Sequence, residues 1–382
     1  MNAFALTAEQ RSFTEHVREV AAEQLRPLAE AGTPGRVNRE LIKAMGDLGL
    51  LARLFGDSQS REAAATDLCL LRESLATVST EAETALALQG LGAYPILQSG
   101  LPDTVDRWLP AVAAGDAVPA FALTEPEAGS DAGALQLAAE PDGDGWRLTG
   151  EKIWISNAPE ADVYTVFART MPEAGARGVS AFAVPGDRPG LGGEHLDMIS
   201  PHPIGRLTFD GVRVEPAELL GELDRGFRVA MRTLDLFRPS VGAFAVGMAQ
   251  AALDAAVQHA GTRTAFGGPL KDQQAISHLL AEMATRTEAA RLLVYAAAAA
   301  YDAGREGGRG GGWAITARSA MAKLFATETA QFVVDAAVQI HGARALRQGH
   351  LLEHLYREVR APRIYEGASE VQRSIIAREL YR

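Results

Sequence analysis

Glu366 is the residue whose setting most invites chemistry. It stands in Tyr365-Glu366-Gly367, a short linker after Pro362, which ends one helical pattern. Ser369 with Gln372 then spells a capping box for the last helix. Gly367 permits a tight backbone path, so the carboxylate beside it can point into a cleft. A carboxylate kept from water has a raised pKa and becomes a usable general base. The same residue also fits an acid placed ahead of a helix N-terminus to complement the dipole.

Three other segments carry polar or flat groups at suggestive spacing. Phe121-Ala-Leu-Thr-Glu-Pro-Glu-Ala-Gly-Ser-Asp131 starts like a strand and runs into a turn with Pro126, Gly129 and Ser130. Consecutive turn amides can cradle an acceptor-rich ligand, with Thr124 and Ser130 adding hydroxyl donors, although a plain polar loop fits as well. Lys152-Ile-Trp-Ile-Ser-Asn157 reads as a strand on which Trp154 and Ser156 share one side. An indole and a hydroxyl so placed could pack against and hydrogen-bond a planar ring, or Trp154 could belong to the core. Arg263-Thr-Ala-Phe-Gly267 follows a long helical pattern. Its arginine suits a bidentate phosphate contact or the last carbonyls of that helix. Cys69 is the single cysteine and cannot build a thiolate site, so a metal centre is not expected. There is no G-x-S-x-G elbow and no strand-anchored G-x-G-x-x-G, so neither a hydrolase serine nor a Rossmann site is supported.

These groups need elements to position them. The chain has 382 residues, 47% apolar and 22% charged, enough for two or three domains around a buried core. Residues 1–117 read as helices. Thr7 and Gln10 match a capping box, and Phe13, Val17, Val20 and Ala21 keep helical spacing. Helical patterns return near 38–50, 62–79, 81–98 and 102–114. Residues 118–221 change texture, with short β-prone runs at 135–139, 146–149, 152–156, 163–168, 180–184 and 207–209. The first two flank Pro141-Asp-Gly-Asp-Gly145, a hairpin signal, and the whole reads as a small antiparallel β domain. Residues 222–382 are helical again, broken by a Gly/Arg-rich connector at 304–312. Helices, then strands, then helices predict an α+β fold with segregated layers.

The formal net charge of -11 argues against nucleic acid as a main partner. The opening MNAFALTAEQRSF shows no secretory apolar core and no long unbroken apolar run follows. A cytoplasmic protein with no membrane partner is therefore the expectation.

Taken together and in order, the segments resemble the acyl-CoA dehydrogenase family. The most specific pieces are Leu123-Thr-Glu-Pro-x-Ala-Gly-Ser-Asp131, Gly150-Glu-Lys-Ile-Trp-Ile-Ser156, Arg263-x-x-Phe-Gly267 with Gln274-Ala-Ile276, and Arg363-Ile-Tyr-Glu-Gly-x-Ser369 with Gln372-Arg373. The resemblance implies an N-terminal helical domain, a middle β domain and a C-terminal four-helix bundle, assembled as a homotetramer or homodimer with FAD between domains. It implies that Phe121, Leu123, Thr124, Gly129 and Ser130 line the flavin, Ser130 also lying near the thioester arm. Trp154 would pack on the flavin ring, Ser156 would bond near its N5 edge, and Ser369 would lie toward it. Arg263, Phe266, Gln274, Gln339 and Gly342 would reach the FAD of a neighbouring copy. Asp235, Arg238 and Gly367 would contact the substrate, and Glu366 would be the catalytic base. Some branches of the family place the base just before this arginine. Here Leu234-Asp-Leu-Phe-Arg238 puts Phe237 there, which cannot take a proton. The implied reaction removes an α proton and a β hydride from an acyl thioester. An electron-transfer flavoprotein is the implied acceptor.

The chain also departs from the family pattern. Phe55–Arg61 lacks a Gly-Gly-x-Gly run, Ala343 stands where a glycine is usual, Ala368 replaces a threonine, and Ser200–Gly205 is short. These features resemble a branch acting in natural-product pathways, on CoA-linked or carrier-protein-tethered acyl groups. A flavin-dependent oxidase or monooxygenase is the alternative on the same fold, and a non-catalytic thioester- or flavin-binding protein is the alternative from another class.

Overall fold

The computed structural model describes residues 6–56, 63–305 and 314–381. The substituted segment at 55–61 and the connector at 304–312 lie largely outside those residues. The first helix shows how local chemistry sets a boundary. Thr7 Oγ1 accepts from the Gln10 amide at 3.1 Å while the Thr7 amide donates to Gln10 Oε1 at 3.0 Å. This reciprocal capping box, expected from sequence, opens α1 (Ala8–Val20). Then come α2 (Arg26–Ala31), α3 (Arg39–Asp47), α4 (Ala65–Ala76), α5 (Thr80–Ser99) and α6 (Pro102–Ala113). After the strands follow α7 (Gly226–Thr262), α8 (Gln274–Arg305), α9 (Ile315–His341), α10 (Leu351–Glu358) and α11 (Ser369–Leu380).

The chain divides into two compact units. One comprises Met1–Gln24, Ala65–Glu83 and Asp235–Arg382, the other Leu25–Ala64 and Thr84–Leu234.

The second unit is built on a seven-stranded sheet. Its strands are β1 (Pro119–Ala122), β2 (Ala138–Asp142), β3 (Gly145–Ser156), β4 (Val163–Arg169), β5 (Val179–Pro185), β6 (Leu191–His195) and β7 (Ile204–Val214). They lie in the order β1-β4-β2-β3-β7-β6, with β5 also paired to β4. The β2–β3 hairpin closes at Gly143-Asp144, where Asp142 pairs with Gly145 and Gly143 takes φ +64°. Glycine at the first central position meets the twist demand of a two-residue turn. The sheet is mixed, not wholly antiparallel as expected: β4 runs parallel to β1 and to β2. The hairpin and the turn at 157–162 reverse the chain twice, which returns β4 to the direction of β2. Strand β6 has no sequence signal, because Leu191-Gly-Gly-Glu-His195 lacks β-branched residues; its place on the edge of β7 is set by backbone pairing alone. Strand β3 merges two expected strands and is interrupted by register shifts at 148–150 and 152–155.

The first unit packs α7, α8 and α9 with α4, the helices meeting through alanines such as Ala249, Ala252, Ala298, Ala320 and Ala330, all buried. Helix α7 is long and apolar enough to cross a bilayer by composition, yet 78% of its apolar window is buried inside the protein, as in a core helix. Gly247 sets how closely it approaches α4: a Cβ there would meet Ala76 Cβ and the Glu73 carbonyl, both at 2.6 Å. Glu73 ties α4 to α8, accepting from Arg291 Nε at 2.8 Å and from the Tyr295 hydroxyl at 2.9 Å. Gly247→Val is therefore expected to destabilise by about 2–3 kcal/mol through overpacking. Urea unfolding checks this, and an unchanged midpoint would show that the α4–α7 contact is looser than described.

Candidate active site

The linker that carries Glu366 owes its shape to three helices of the first unit. Glu366 has φ +52°, a left-handed conformation that costs a residue with a Cβ free energy. Gly367 follows at φ +93°. The two carbonyls exposed by this path are each claimed by buried donors. Arg238 Nε, from α7, donates to the Glu366 carbonyl at 3.3 Å. Lys323 Nζ, from α9, donates to the Gly367 carbonyl at 2.7 Å. Gln372 Nε2, from α11, donates to both, at 3.1 and 2.8 Å. Lys323 and Gln372 are fully buried and Arg238 is 4% exposed.

These contacts overrule the expected capping box. Ala368 is the N-cap of α11 and makes no side-chain cap bond. Ser369 Oγ donates instead to Glu328 Oε1 at 2.6 Å, while Gln372 turns back to the linker. A buried carbonyl without a donor is costlier than a helix end without a cap, and Gln372 serves the carbonyls.

The Glu366 side chain is left poised. Its Oε2 is buried and has no hydrogen-bond partner among the described residues. Burial raises its pKa, and Arg72, Lys323 and Arg238 pull it part of the way back. Arg72 is itself committed elsewhere. It pairs with Glu83 and donates to Ser240 Oγ at 2.7 Å, its side chain 4% exposed and that of Glu83 1%. Burial lowers Lys323 to about 8, against the favourable charge of Glu366. Asp235 accepts from Thr316 Oγ1 at 2.9 Å and lies 3.6 Å from Arg238 Nη1; burial raises its pKa.

A second cluster lies in the β unit. Phe121 on β1 meets Phe167 with ring centroids 4.9 Å apart, and Leu123 is buried. Thr124 is half-buried, whereas Gly129 and Ser130 are exposed beyond the tight turn in which Glu125 and Ala128 pair. The Ile153 amide donates to the Thr124 carbonyl at 3.0 Å, which joins this segment to β3 next to Trp154. Lys152 fixes the join, its Nζ donating to the Leu123 carbonyl at 2.9 Å and to Glu125 Oε1 at 2.8 Å. Trp154 sits in the bulge at φ +59° and is 54% exposed, so it is not a core residue. Ile155 is buried and Ser156 half-buried, which puts Trp154 and Ser156 on the open side of this stretch.

The third cluster gathers helix ends of the first unit. Arg263, Gln274, Gln339 and Gly342 are all exposed. Phe266 is 93% exposed at φ +54°, on the loop between β8 (Thr264–Ala265) and β9 (Gly268–Pro269). His259 of α7 stacks on His341 of α9, centroids 4.2 Å apart, which brings Arg263 and Gly342 to one end of the bundle. His350 meets His341 edge-on at 5.6 Å. Burial, then neighbouring cations, lowers the pKa of His259, and burial lowers that of His341. Among the described residues six non-glycine positions have positive φ, and four of them, Trp154, Asn157, Phe266 and Glu366, fall in segments singled out from sequence.

The sequence reading missed Lys323 and Arg72, because a lone lysine or arginine within a helical pattern looks like a solvated one. His350 and His354 also have the i, i+4 spacing of some zinc sites. They do not converge: His350 Nδ1 caps the Leu352 amide at 3.1 Å and His354 Nε2 lies 2.6 Å from Thr80 Oγ1. No metal-holding cluster occurs among the described residues.

The raised pKa of Glu366 gives a sign for stability. Above the ordinary carboxylate range the folded protein holds this proton more tightly than the unfolded chain, so stability falls as pH rises through that window. Glu366→Gln removes the penalty. It is expected to raise the thermal midpoint at neutral pH, the gap to wild type shrinking below pH ~4.5. A variant that melts lower at neutral pH would mean the carboxylate has a stabilising partner.

Known proteins share the sequence pattern and the fold of this chain. Family models described as acyl-CoA dehydrogenase N-terminal, middle and C-terminal domains match residues 7–116, 120–212 and 224–381. Cyclohexane-1-carbonyl-CoA dehydrogenase of Geobacter metallireducens is 35% identical, over 99% of this chain and 98% of its own. The structure of butyryl-CoA dehydrogenase from Megasphaera elsdenii superposes with a TM-score of 0.90 at 34% identity, covering 99% of this chain and 100% of that one. A structure of PigA with FAD and proline superposes at 0.91 with 27% identity, covering 99% of each.

Proposed function

We infer the reaction from a premise now in place: the chain belongs to the acyl-CoA dehydrogenase family. We propose that it dehydrogenates an acyl thioester with FAD, Glu366 taking the α proton. The observation that carries this is the buried, unpartnered Oε2 of Glu366 on a left-handed linker held by three helices.

The residues fit the cofactor. Trp154 offers a flat face 54% open to its surroundings, and Gly129 and Ser130, exposed just after the Glu125–Ala128 turn, offer groups for polar contacts. At the bundle end, Phe266 is exposed, and a Cβ added to Gly342 would touch nothing within 4 Å. That end would serve the FAD of a neighbouring copy in a homodimer or homotetramer. Bound FAD supplies the two-electron acceptor that receives the β hydrogen as a hydride.

Everything else falls to the chain. The α C–H of a thioester is a very weak acid, so its removal needs a carboxylate that is close, dry and unsolvated. Glu366 supplies it: burial raises its pKa, and the cations of Arg72, Lys323 and Arg238 offset part of that rise. The proton moves to the carboxylate as negative charge develops on the thioester oxygen. By family resemblance the Glu366 amide would donate to that oxygen. Loss of the α proton and β hydride leaves a 2,3-enoyl thioester. Arg238 and Asp235 contribute by shaping the floor beneath the linker. An electron-transfer flavoprotein is proposed as the acceptor that reoxidises the enzyme.

The test is anaerobic bleaching of the yellow protein by butyryl-CoA, cyclohexane-1-carbonyl-CoA and the same acyl groups on a carrier protein. Glu366→Gln should stay yellow and lose the bleaching rate by several orders of magnitude, since proton abstraction begins the reaction. Normal bleaching in that variant would assign the base elsewhere. Rapid oxygen consumption by wild type would favour the oxidase reading.

A further inference from the structure

Resting on the reading of Glu366 as the base, we propose that Lys323 is a positioning residue for it: the buried ammonium holds the Gly367 carbonyl one residue beyond the base and adds a positive charge to its surroundings, setting both its aim and its charge balance. Lys323 lies midway along α9 among Ala320, Ala322, Ala326 and Thr327, all buried. An ammonium in such a place is costly to desolvate, and an apolar side chain would serve packing better. At 0% exposure its ammonium makes a hydrogen bond that an apolar residue could not.

Its surroundings say what. Its hydrogen bond goes to the Gly367 carbonyl at 2.7 Å. Gln372 Nε2 completes that carbonyl at 2.8 Å. Among the described residues Lys323 makes no ion pair within 4 Å. The charged groups it senses are Glu366, Arg238, Glu328 and Glu370, and Glu366 is the strongest of them. Glu328 is already engaged by Ser369 at 2.6 Å and Arg363 at 2.8 Å, and Glu370 is exposed beside Arg373.

From the other side, the cations that act on Glu366 are Arg72 of α4, Lys323 of α9 and Arg238 of α7. Arg72 has its own buried carboxylate in Glu83, and Arg238 has Asp235 at 3.6 Å. Lys323 is the cation of the three whose principal counter-charge is the base itself. It also holds the backbone one residue further on, so the same group sets direction and charge.

The experiment uses the FAD-loaded full-length enzyme and the acid limb of the pH profile for anaerobic bleaching by butyryl-CoA. Proton abstraction needs the carboxylate, so the rate falls as pH drops through the pKa of Glu366. Removing a nearby positive charge raises that pKa and moves the limb to higher pH. Lys323→Met is expected to shift it up by about one unit or more. Lys323→Gln, which keeps an N–H donor for Gly367 but no charge, is expected to shift it similarly while preserving the fold and flavin content. If Lys323→Met fails to fold, Lys323→Gln decides. A limb at the wild-type position in the folded variants, even with a slower rate at every pH, overturns the proposal and leaves Lys323 a structural residue. Glu366→Gln is run alongside: if it bleaches normally, the base assignment itself has failed, a result distinct from an unshifted limb.

Discussion

Two backbone carbonyls decide the character of this protein. Those of Glu366 and Gly367 point into the helical unit because the linker is left-handed at both residues. Left unpaired they would oppose that path; bonded to Arg238, Lys323 and Gln372 they hold it. Each donor comes from a different helix, so the spacing of α7, α9 and α11 is read out as the orientation of one carboxyl group. The strain at Glu366 is affordable only because its surroundings over-determine it.

The same logic appears in the β unit, carried by another lysine. Lys152 is buried with its ammonium on Glu125 and on the Leu123 carbonyl, and Glu125 also accepts from the amides of Gln136 and Leu137 at 2.5 and 2.9 Å. That small polar knot pins the Thr124 segment to the bulge that presents Trp154. Burial lowers Lys152 and Lys323 each to about 8. In both units an ammonium lies under an irregular stretch of backbone next to a proposed functional residue, where a regular strand or helix would have needed no such support. A buried donor set on an otherwise unpaired carbonyl holds one backbone path, and that is the use of both lysines here.

Much of this was legible in the residues. Thr7 and Gln10 announced the first helix, Pro141–Gly145 the hairpin, and the linker around Glu366 was visible from Pro362, Gly367 and the helix beyond. What escaped depends on contacts between segments far apart in sequence. Strand β6 has no propensity of its own and exists because β7 offers an edge. The bulge at Trp154 is a register mismatch between β3 and β7, which β3 alone cannot reveal. Ser369 and Gln372 spell a capping box that does not form, because Gln372 is drawn away by carbonyls whose burial the local pattern does not reveal. Lys323 lies 43 positions before Glu366, and only the packing of α9 against the linker gives it a meaning.

The most direct test of the central claim is a crystal structure of the enzyme with FAD and a non-oxidisable acyl thioester. The account predicts a Glu366 carboxylate oxygen about 3–3.5 Å from the α carbon, with both linker carbonyls still bonded to Arg238, Lys323 and Gln372. A Glu366 side chain turned to solvent, with another acid over the α carbon, would contradict it.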